Sequence, residues 1–321
     1  MRQAGRLAIM GMIGLAWVLM PAPAVRAAES PDAAGAGAHE MPRKAEPAQA
    51  EEMPKAFGFA IDYTYTTDYV WRGINLSEYD GEGSEDPNHQ MGVGFTLATE
   101  PLVGTDFGTF GVSFWFEWYG GQAELGSDGS LQEVDYTVNW ARSVPGLPLA
   151  VELGWIAYEF PQLTDDGRCT QEIYASLALE EEELFGMEIV NPYFAYYLDV
   201  DDVRASWMEF GISHEFTPAD VGAGNVPCLE PLTVTPSFVM GIDHRYYDEA
   251  GFGGATGVDT HIGNLQYGLD VGYDIGSALG MPPEYGSVTL NGFLRFSQAI
   301  HNESPAVYDT FWGGFTVGYA W

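Results

Sequence analysis

The stretch Phe311-Trp-Gly-Gly-Phe-Thr-Val-Gly-Tyr-Ala-Trp321 alternates between large apolar side chains and small ones. The large side chains that share one face are Phe315, Val317, Tyr319 and Trp321. A period of two is typical of a β-strand, because successive side chains point to opposite faces of a sheet. A strand with one bulky apolar face and one small face is the kind that lines a membrane-embedded β-barrel.

The same alternation recurs along the chain in about twelve segments, most of them nine or more residues long. They are 57–65, 91–98, 110–118, 133–140, 148–160, 171–180, 188–199, 205–216, 232–243, 265–274, 288–297 and 311–321. Strands of soluble proteins average about five or six residues, whereas membrane-crossing strands need roughly 9–11. We therefore predict an all-β fold, a transmembrane antiparallel up-and-down β-barrel of about 12 strands in the bacterial outer membrane.

The lengths of the connections support this topology. With the N-terminus on the periplasmic side, loops after odd strands should be long and turns after even strands short. Trp71–Gln90 is a long connection and Ser143–Leu147 a brief one, as expected. Thr217–Pro231 and Asp274–Gly286 are long for periplasmic turns. Either could contain a short helix, or the strand count could differ from twelve.

The two cysteines fall on opposite sides of the predicted membrane. Cys169 lies in an outer loop and Cys228 in a periplasmic turn of this topology. A disulfide requires α-carbons within about 7 Å of each other, so we predict that these two residues do not pair.

The N-terminal part of the chain has the composition of an export signal followed by a linker. Arg2 and Arg6 precede the apolar run Leu7–Met20, and small residues follow up to Ala27. That run is shorter than the roughly 20 residues that span a bilayer as a helix. We therefore predict a cleaved signal peptide over 1–27. Residues 28–55 are rich in Ala, Pro and Glu without an aromatic residue, which predicts a flexible segment before a barrel over 56–321.

The charge of the chain excludes one large class of function. Its formal net charge is −34, from 46 acidic and 12 basic residues. Nucleic-acid binding requires clustered Lys and Arg that displace phosphate counterions, so no nucleic-acid partner is expected. Disorder is excluded too, because 46% of the residues are apolar and 14% aromatic.

Acidic residues on the small-residue faces suggest what the barrel interior could do. The predicted pore-lining residues are Asp62, Glu117, Glu133, Asp135, Asp270 and Arg295. Acidic rings in a water-filled channel attract cations and repel anions. We predict a porin-like channel for passive diffusion of small hydrophilic solutes, cationic or neutral. The alternative is a non-conducting structural or surface-binding barrel, in which these acids form hydrogen-bond networks with Arg72 and Arg295.

Residue pairs that could serve catalysis are few. Ser213-His214 and Asp243-His244 are the nearest candidates, but neighbours on a strand point to opposite faces. We predict no catalytic residues and no enzyme activity.

The acidic stretch Asp80–Asp86 alternates like a calcium-binding loop. Glu85 stands where that loop needs glycine, however, and Met91 where it needs a bidentate glutamate. We expect a solvated loop there, no metal site and no cofactor. The expected partners are outer-membrane lipid and lipopolysaccharide, the barrel-assembly machinery and small solutes.

Two motifs resemble segments of the TorF-type porin family. One is Thr67-Asp-Tyr-Val-Trp-Arg-Gly-Ile-Asn-Leu-Ser77, and the other combines Asn191–Asp201 with Glu209–His214. The resemblance implies an outer-membrane β-barrel with a pore function over about 57–321. Arg72 matches the family's arginine, with its role open between a loop anchor and a pore charge. The acidic insert after Ser77 and the elongated connection over 217–231 depart from the family pattern.

The terminal strand also resembles the C-terminal signal by which the barrel-assembly machinery recognises its clients, although phenylalanine is the commoner last residue. Phe315, Val317, Tyr319 and Trp321 form this predicted assembly signal.

Overall fold

The structure is a computed structural model that describes residues 56–77, 87–119, 131–163, 169–224, 226, 228–252, 259–300 and 307–321. The predicted signal peptide over 1–27, the segment over 28–55 and the acidic stretch Asp80–Asp86 lie outside the described residues.

Twelve antiparallel strands close into one barrel. Each barrel strand pairs with the next barrel strand along the chain, and the first pairs with the last. Two short strands that do not belong to the barrel wall, β2 (Val70–Trp71) and β3 (Ile74–Asn75), pair with each other. The barrel strands are β1 (Phe57–Thr66), β4 (Asn88–Ala98), β5 (Thr109–Tyr119), β6 (Leu131–Ser143), β7 (Leu149–Glu159), β8 (Cys169–Leu179), β9 (Tyr193–Asp199), β10 (Ser206–Ser213), β11 (Leu232–His244), β12 (Thr260–Asp274), β13 (Ser287–Ala299) and β14 (Thr310–Ala320). The predicted fold and strand number are confirmed.

The outer surface of the barrel is apolar. On β14, Phe315 and Val317 are exposed, whereas Thr310 and Trp312 on the opposite face are buried. Large apolar side chains are exposed in the same way along the other strands. A closed barrel whose outward band is apolar is stable in lipid, because it leaves no strand edge unpaired. The protein is therefore an outer-membrane β-barrel, and the start of β1 and the end of β14 lie at the same rim. Following the topology predicted from the sequence, we call this rim periplasmic and the other extracellular.

Short helices lie at the ends of the strands. They are α1 (Glu100–Val103), α2 (Glu181–Phe185), α3 (Tyr246–Glu249) and α4 (Ile275–Ala278), with a 3-10 turn over Pro283–Tyr285. In the described part of the chain, no helix has the length and apolar character needed to cross a membrane.

The two connections that are long for periplasmic turns have different explanations. Asp274 caps α4 by accepting a hydrogen bond from the Ser277 backbone N–H at 2.9 Å. This short helix accounts for the length of the second connection. In the first, Phe216 pairs with Val234 as an isolated bridge, and a series of turns follows it. Neither connection changes the strand count.

The cysteines lie at opposite rims of the barrel. Cys169 begins β8 at the extracellular rim, and Cys228 lies in the periplasmic connection before β11. The eleven residues of β8 span about 37 Å at ~3.4 Å per residue, far beyond the reach of a disulfide.

A buried carboxylate organises the periplasmic turn after α2. Glu181 Oε2 accepts backbone hydrogen bonds from Ile189 at 2.7 Å, Val190 at 2.8 Å and Asn191 at 2.9 Å. Desolvation alone would raise the pKa of Glu181, but these three N–H donors and the nearby His214 lower it below its ordinary value.

Glu181→Gln is expected to destabilise the barrel by about 1–3 kcal/mol at neutral pH, because a charged acceptor is lost. The folded-state pKa lies below that of the unfolded chain. This contribution is therefore fully present above the unfolded pKa and is lost as the pH falls through the folded value. Urea unfolding in lipid vesicles at pH 7 and pH 3 measures it, with exposed Glu183→Gln as the control. An equal loss of stability at both pH values would contradict this assignment.

Trp321 closes the seam between the first and last strands. It exchanges two backbone hydrogen bonds with Phe59, at 2.8 and 2.9 Å, and its indole N–H donates to the Glu284 carbonyl at 3.0 Å. These contacts lie at one end of a seam that seven residue pairs of β1 and β14 already hold.

Deleting Trp321 is therefore expected to lower the amount of protein in the outer membrane more than it lowers the stability of a refolded barrel. Outer-membrane yield in cells and urea unfolding of the refolded variant measure the two effects, with Trp321→Phe as the control. Normal outer-membrane levels of the truncated protein would refute the predicted assembly signal.

Candidate functional site in the barrel interior

A two-stranded hairpin enters the barrel from its extracellular end. It consists of β2 (Val70–Trp71) and β3 (Ile74–Asn75), joined by Arg72 and Gly73. We call residues 69–76 the inner hairpin. Arg72 and Gly73 have φ values of 47° and 81°, which is the two-residue turn that suits a tight hairpin. Arginine in this left-handed region costs about 1–2 kcal/mol.

The turn fits against the barrel wall only because its second residue is glycine. A Cβ added to Gly73 would lie 2.8 Å from the Cβ of Asn264 on β12. The tip of the inner hairpin therefore reaches the wall without space for another side chain.

The apolar side chains of the inner hairpin are buried inside the barrel. Tyr69, Trp71, Ile74 and Leu76 all belong to the buried apolar cluster inside the barrel. The sequence predicted a long connection over Trp71–Gln90, and the first part of it, up to Leu76, lies inside the barrel rather than outside it. The loop turns inward because the lumen removes these apolar side chains from water.

The tip of the inner hairpin carries a buried ion pair. The Arg72 guanidinium donates two hydrogen bonds to Glu172 on β8, at 2.8 and 3.0 Å. The two side chains are 4% and 0% exposed. Glu172 also accepts hydrogen bonds from the hydroxyls of Tyr158 at 2.8 Å and Tyr246 at 2.9 Å. Burying such a pair costs several kcal/mol per ion unless hydrogen bonds satisfy it, and here both carboxylate oxygens are satisfied.

Aromatic rings surround the same guanidinium. Its central carbon lies 4.4 Å from the ring centres of Trp71 and Tyr246, 5.0 Å from Tyr197 and 5.5 Å from Trp207. Cation–π contacts are worth about 0.5–2 kcal/mol each, more when water is excluded. We call the groups outside the inner hairpin the guanidinium cage, namely Tyr158, Glu172, Tyr197, Trp207 and Tyr246.

Helix α3, at the extracellular end of β11, contacts the inner hairpin. The Tyr247 hydroxyl donates to the Arg72 carbonyl oxygen at 2.5 Å. Asp243 at the end of β11 accepts backbone hydrogen bonds from Tyr246 at 2.6 Å and Tyr247 at 3.1 Å. Helix α3 therefore packs against the inner hairpin through Tyr246 and Tyr247.

Three of the predicted pore-lining residues lie beside the inner hairpin. Glu117, Glu133 and Asp135 are buried on inward positions of β5 and β6, and Glu117 is paired in register with Glu133. The Tyr69 hydroxyl donates to Glu133 at 3.0 Å. These carboxylates therefore lie in the part of the interior that is closed to solvent.

The other three predicted residues lie in the accessible part of the interior. Asp62 is half-buried on the inward face of β1. Asp270 pairs with Arg295 at 2.8 Å, and the side chains are 24% and 21% exposed. All six positions face inward, but whether they line a conducting pore stays a prediction.

Solvent accessibility of the inward face changes along the strands. On β4, the inward Asn88 and Gln90 near the extracellular rim are buried, whereas Gly94 and Thr96 toward the periplasm are half-buried. On β1, Thr66 is buried and Asp62 is half-buried in the same order. On these two strands burial of the inward face therefore increases toward the extracellular rim, whereas on β6 and β7 Asn139 and Glu152 are buried in the periplasmic half as well.

The sequence did not single out the guanidinium cage. The alternation is least clean over 148–160, 171–180, 188–199 and 205–216, the segments that supply four of the five cage residues. Tyr158, Tyr197 and Trp207 are bulky side chains on a face that is small elsewhere. Aromatic residues on the inward face were the signal that could have located the site.

The residues of the two candidate catalytic pairs contact other residues instead of each other. Asp243 accepts the backbone hydrogen bonds of α3, and the His244 ring bonds the Thr260 hydroxyl at 2.7 Å. The His214 ring packs edge-on against Phe216 at 4.4 Å. Within the described ranges, no group of three or more His, Cys, Asp or Glu residues is arranged to hold a metal ion. The absence of enzyme activity stays a prediction.

No protein-family model matches the sequence. No curated protein matches it either. The resemblance to the TorF-type family therefore stays a prediction.

Several solved structures are similar to this chain at low identity. The COG4313 outer membrane channel from Pseudomonas putida F1 is 10% identical, with 87% of this chain and 100% of that chain covered and a TM-score of 0.46. OccK10 (OpdN) of Pseudomonas aeruginosa is 11% identical, with 84% and 89% covered and a TM-score of 0.33. Outer membrane phospholipase A from Escherichia coli is 13% identical, with 83% and 93% covered and a TM-score of 0.37. Similarities this low carry no inference about function.

Proposed function

We propose that the protein is an outer-membrane channel for small hydrophilic solutes, cationic or neutral, which the inner hairpin closes near the extracellular rim. The observation that carries this proposal is the interior itself. Along β1, β4 and β11 to β14 the inward face carries mostly small residues, and positions such as Asp62, Thr96 and Asp270 stay partly accessible. A barrel that served only as a structural element would gain stability by filling that space with packed side chains.

The charge of the interior supports a preference for cations. Carboxylates on inward positions are the half-buried Asp62, Glu209 and Asp270 and the buried Glu117, Glu133, Asp135, Glu152, Glu172, Asp199 and Asp243. The guanidinium groups among them are those of Arg72 and Arg295, and each is paired with one acid. A lumen with excess negative charge raises the local concentration of cations and repels anions.

The second candidate function is a non-conducting barrel that acts structurally or binds ligands at the cell surface. The buried ion pair of Arg72 and Glu172 favours it, because that contact holds the tip of the inner hairpin against the inside of the barrel wall. The two functions differ in whether the inner hairpin leaves the lumen.

Planar-bilayer recordings of the wild-type protein and of a variant with residues 70–75 replaced by a glycine linker separate the two. The channel function predicts intermittent openings of the wild type and a larger, steady conductance of the variant. In a KCl gradient, the reversal potential should show cation preference, and Asp62→Asn with Asp270→Asn should reduce it. A folded variant that conducts no current, or that prefers anions, would overturn the proposal.

A further inference from the structure

We propose that the guanidinium cage is a binding site for guanidinium-bearing solutes, and that Arg72 occupies it as a tethered ligand in the closed protein. This inference rests on the proposed channel function and names a class of solute for it. A solute that displaces Arg72 from the cage would also displace the inner hairpin and open the lumen.

The guanidinium cage does not belong to the segment that would move. Tyr158, Glu172, Tyr197 and Trp207 lie on the adjacent wall strands β7, β8, β9 and β10. Tyr246 lies on α3, whose backbone is held by Asp243. The site therefore remains assembled when the inner hairpin leaves.

Contacts within the wall keep the cage side chains in place without Arg72. The Trp207 indole N–H donates to Glu209 at 3.0 Å. The Tyr197 ring lies 5.6 Å from the ring of Tyr174. Tyr158 and Tyr246 both donate to the Glu172 carboxylate. Such preorganisation lowers the cost of binding a free ligand.

The geometry favours a guanidinium over an ammonium ion. Glu172 accepts the two N–H groups at 2.8 and 3.0 Å, one on each carboxylate oxygen. This fork matches the planar guanidinium, which is weakly hydrated and stacks on aromatic rings. An ammonium ion is more strongly hydrated and presents its donors as a compact point charge, so the flat aromatic walls replace less of its hydration.

Arg72 competes with a free guanidinium ion for the cage, and its backbone conformation weakens its binding. Arg72 adopts a φ of 47° to reach the cage, a left-handed backbone conformation that is strained for a residue other than glycine and that a free ligand does not require. A short tether gives an effective concentration in the millimolar range. A free guanidinium ion should therefore bind the wild type at about millimolar concentrations or above, and should bind more tightly once Arg72 is removed.

Calorimetric titration of the purified full-length protein in detergent tests this inference. The probes are methylguanidinium chloride and methylammonium chloride, which carry the same charge. Arg72→Ala should bind methylguanidinium at least tenfold more tightly than methylammonium, and at least tenfold more tightly than the wild type does. Adding Glu172→Gln should abolish this binding.

If Arg72→Ala does not fold, the glycine-linker variant lacking residues 70–75 provides the same empty cage. Equal affinity for the two ions, or no binding to a folded variant with an empty cage, would overturn the inference. If that variant conducts without binding methylguanidinium, the site is wrong and the channel function stands. If the variants bind methylguanidinium but none of them conducts current, the binding site is supported and the channel function is refuted.

Discussion

Replacing Glu172 by glutamine is expected to release the inner hairpin and to hold the lumen open. The substitution keeps the size of the side chain but leaves the guanidinium of Arg72 without its carboxylate in a buried site. Removing one partner of a buried ion pair costs about 3–5 kcal/mol. That corresponds to a shift of about two to four orders of magnitude in the docking equilibrium, so the undocked state should dominate.

Trypsin reports this release directly, because it cleaves after arginine. In the wild type the Arg72 side chain is 4% exposed and should be protected. In Glu172→Gln the bond between Arg72 and Gly73 should be cut rapidly, and the bilayer conductance should rise in parallel. Mass spectrometry of the digested protein identifies the cleavage site.

Asp270→Asn is the matched control for this experiment. It removes one carboxylate from a second interior ion pair, with Arg295, whose side chains are 24% and 21% exposed. Solvated pairs of this kind are worth about 0–1 kcal/mol, so Arg72 should stay protected in this variant. Equal protection of Arg72 in Glu172→Gln and in the wild type would show that the ion pair does not hold the inner hairpin.

Cross-linking the inner hairpin to the barrel should abolish conductance reversibly. Ile74 on β3 forms an isolated antiparallel bridge with Val307, just before β14, and both side chains are buried. Residues paired in this way have α-carbons about 4.5–5.5 Å apart, within the range that a disulfide spans. The double variant Ile74→Cys and Val307→Cys should therefore form a disulfide when oxidised.

The experiment uses Cys169→Ala and Cys228→Ala as the background, so that the new pair is the only possible disulfide. The oxidised protein should show no openings, and dithiothreitol should restore those of the wild type. Ile74→Cys alone should not respond to dithiothreitol. Wild-type conductance of the fully oxidised protein would show that the inner hairpin does not close the channel.

The strands could be predicted from the sequence because they depend on a local pattern. Segments such as Phe57–Tyr65 repeat a period of two that any inward and outward alternation requires. The closure of the barrel followed from strand length and from apolar faces that only lipid can cover. The inward positions of Asp62, Glu117 and Asp270 followed from the same period.

The site depends on contacts that no local pattern contains. Arg72 and Glu172 are 100 residues apart in the chain, and only the closed barrel brings them together. The pair Arg72-Gly73 suits a two-residue hairpin turn, but the predicted topology places these residues in a long connection. Nothing in those residues shows whether that hairpin faces water or the lumen.

The motif that resembles the TorF-type family coincides with the inner hairpin. Its aspartate, Asp68, accepts a hydrogen bond from the Asn75 side chain at 2.8 Å, and its tyrosine bonds Glu133. Its arginine is the group at the centre of the guanidinium cage. Each of these residues therefore has a contact that holds the hairpin together or fixes it to the wall.

The partners of the inner hairpin also fix when it can dock during biogenesis. The hairpin follows the first strand, but its contacts come from elements later in the chain: β6, β8, α3 and Val307, which precedes the final strand. A nascent barrel that still lacks its later strands therefore cannot hold this segment. The lumen must stay hydrated through most of insertion, and docking marks a barrel that is complete. Variants stalled during assembly should accordingly carry a protease-sensitive segment after β1.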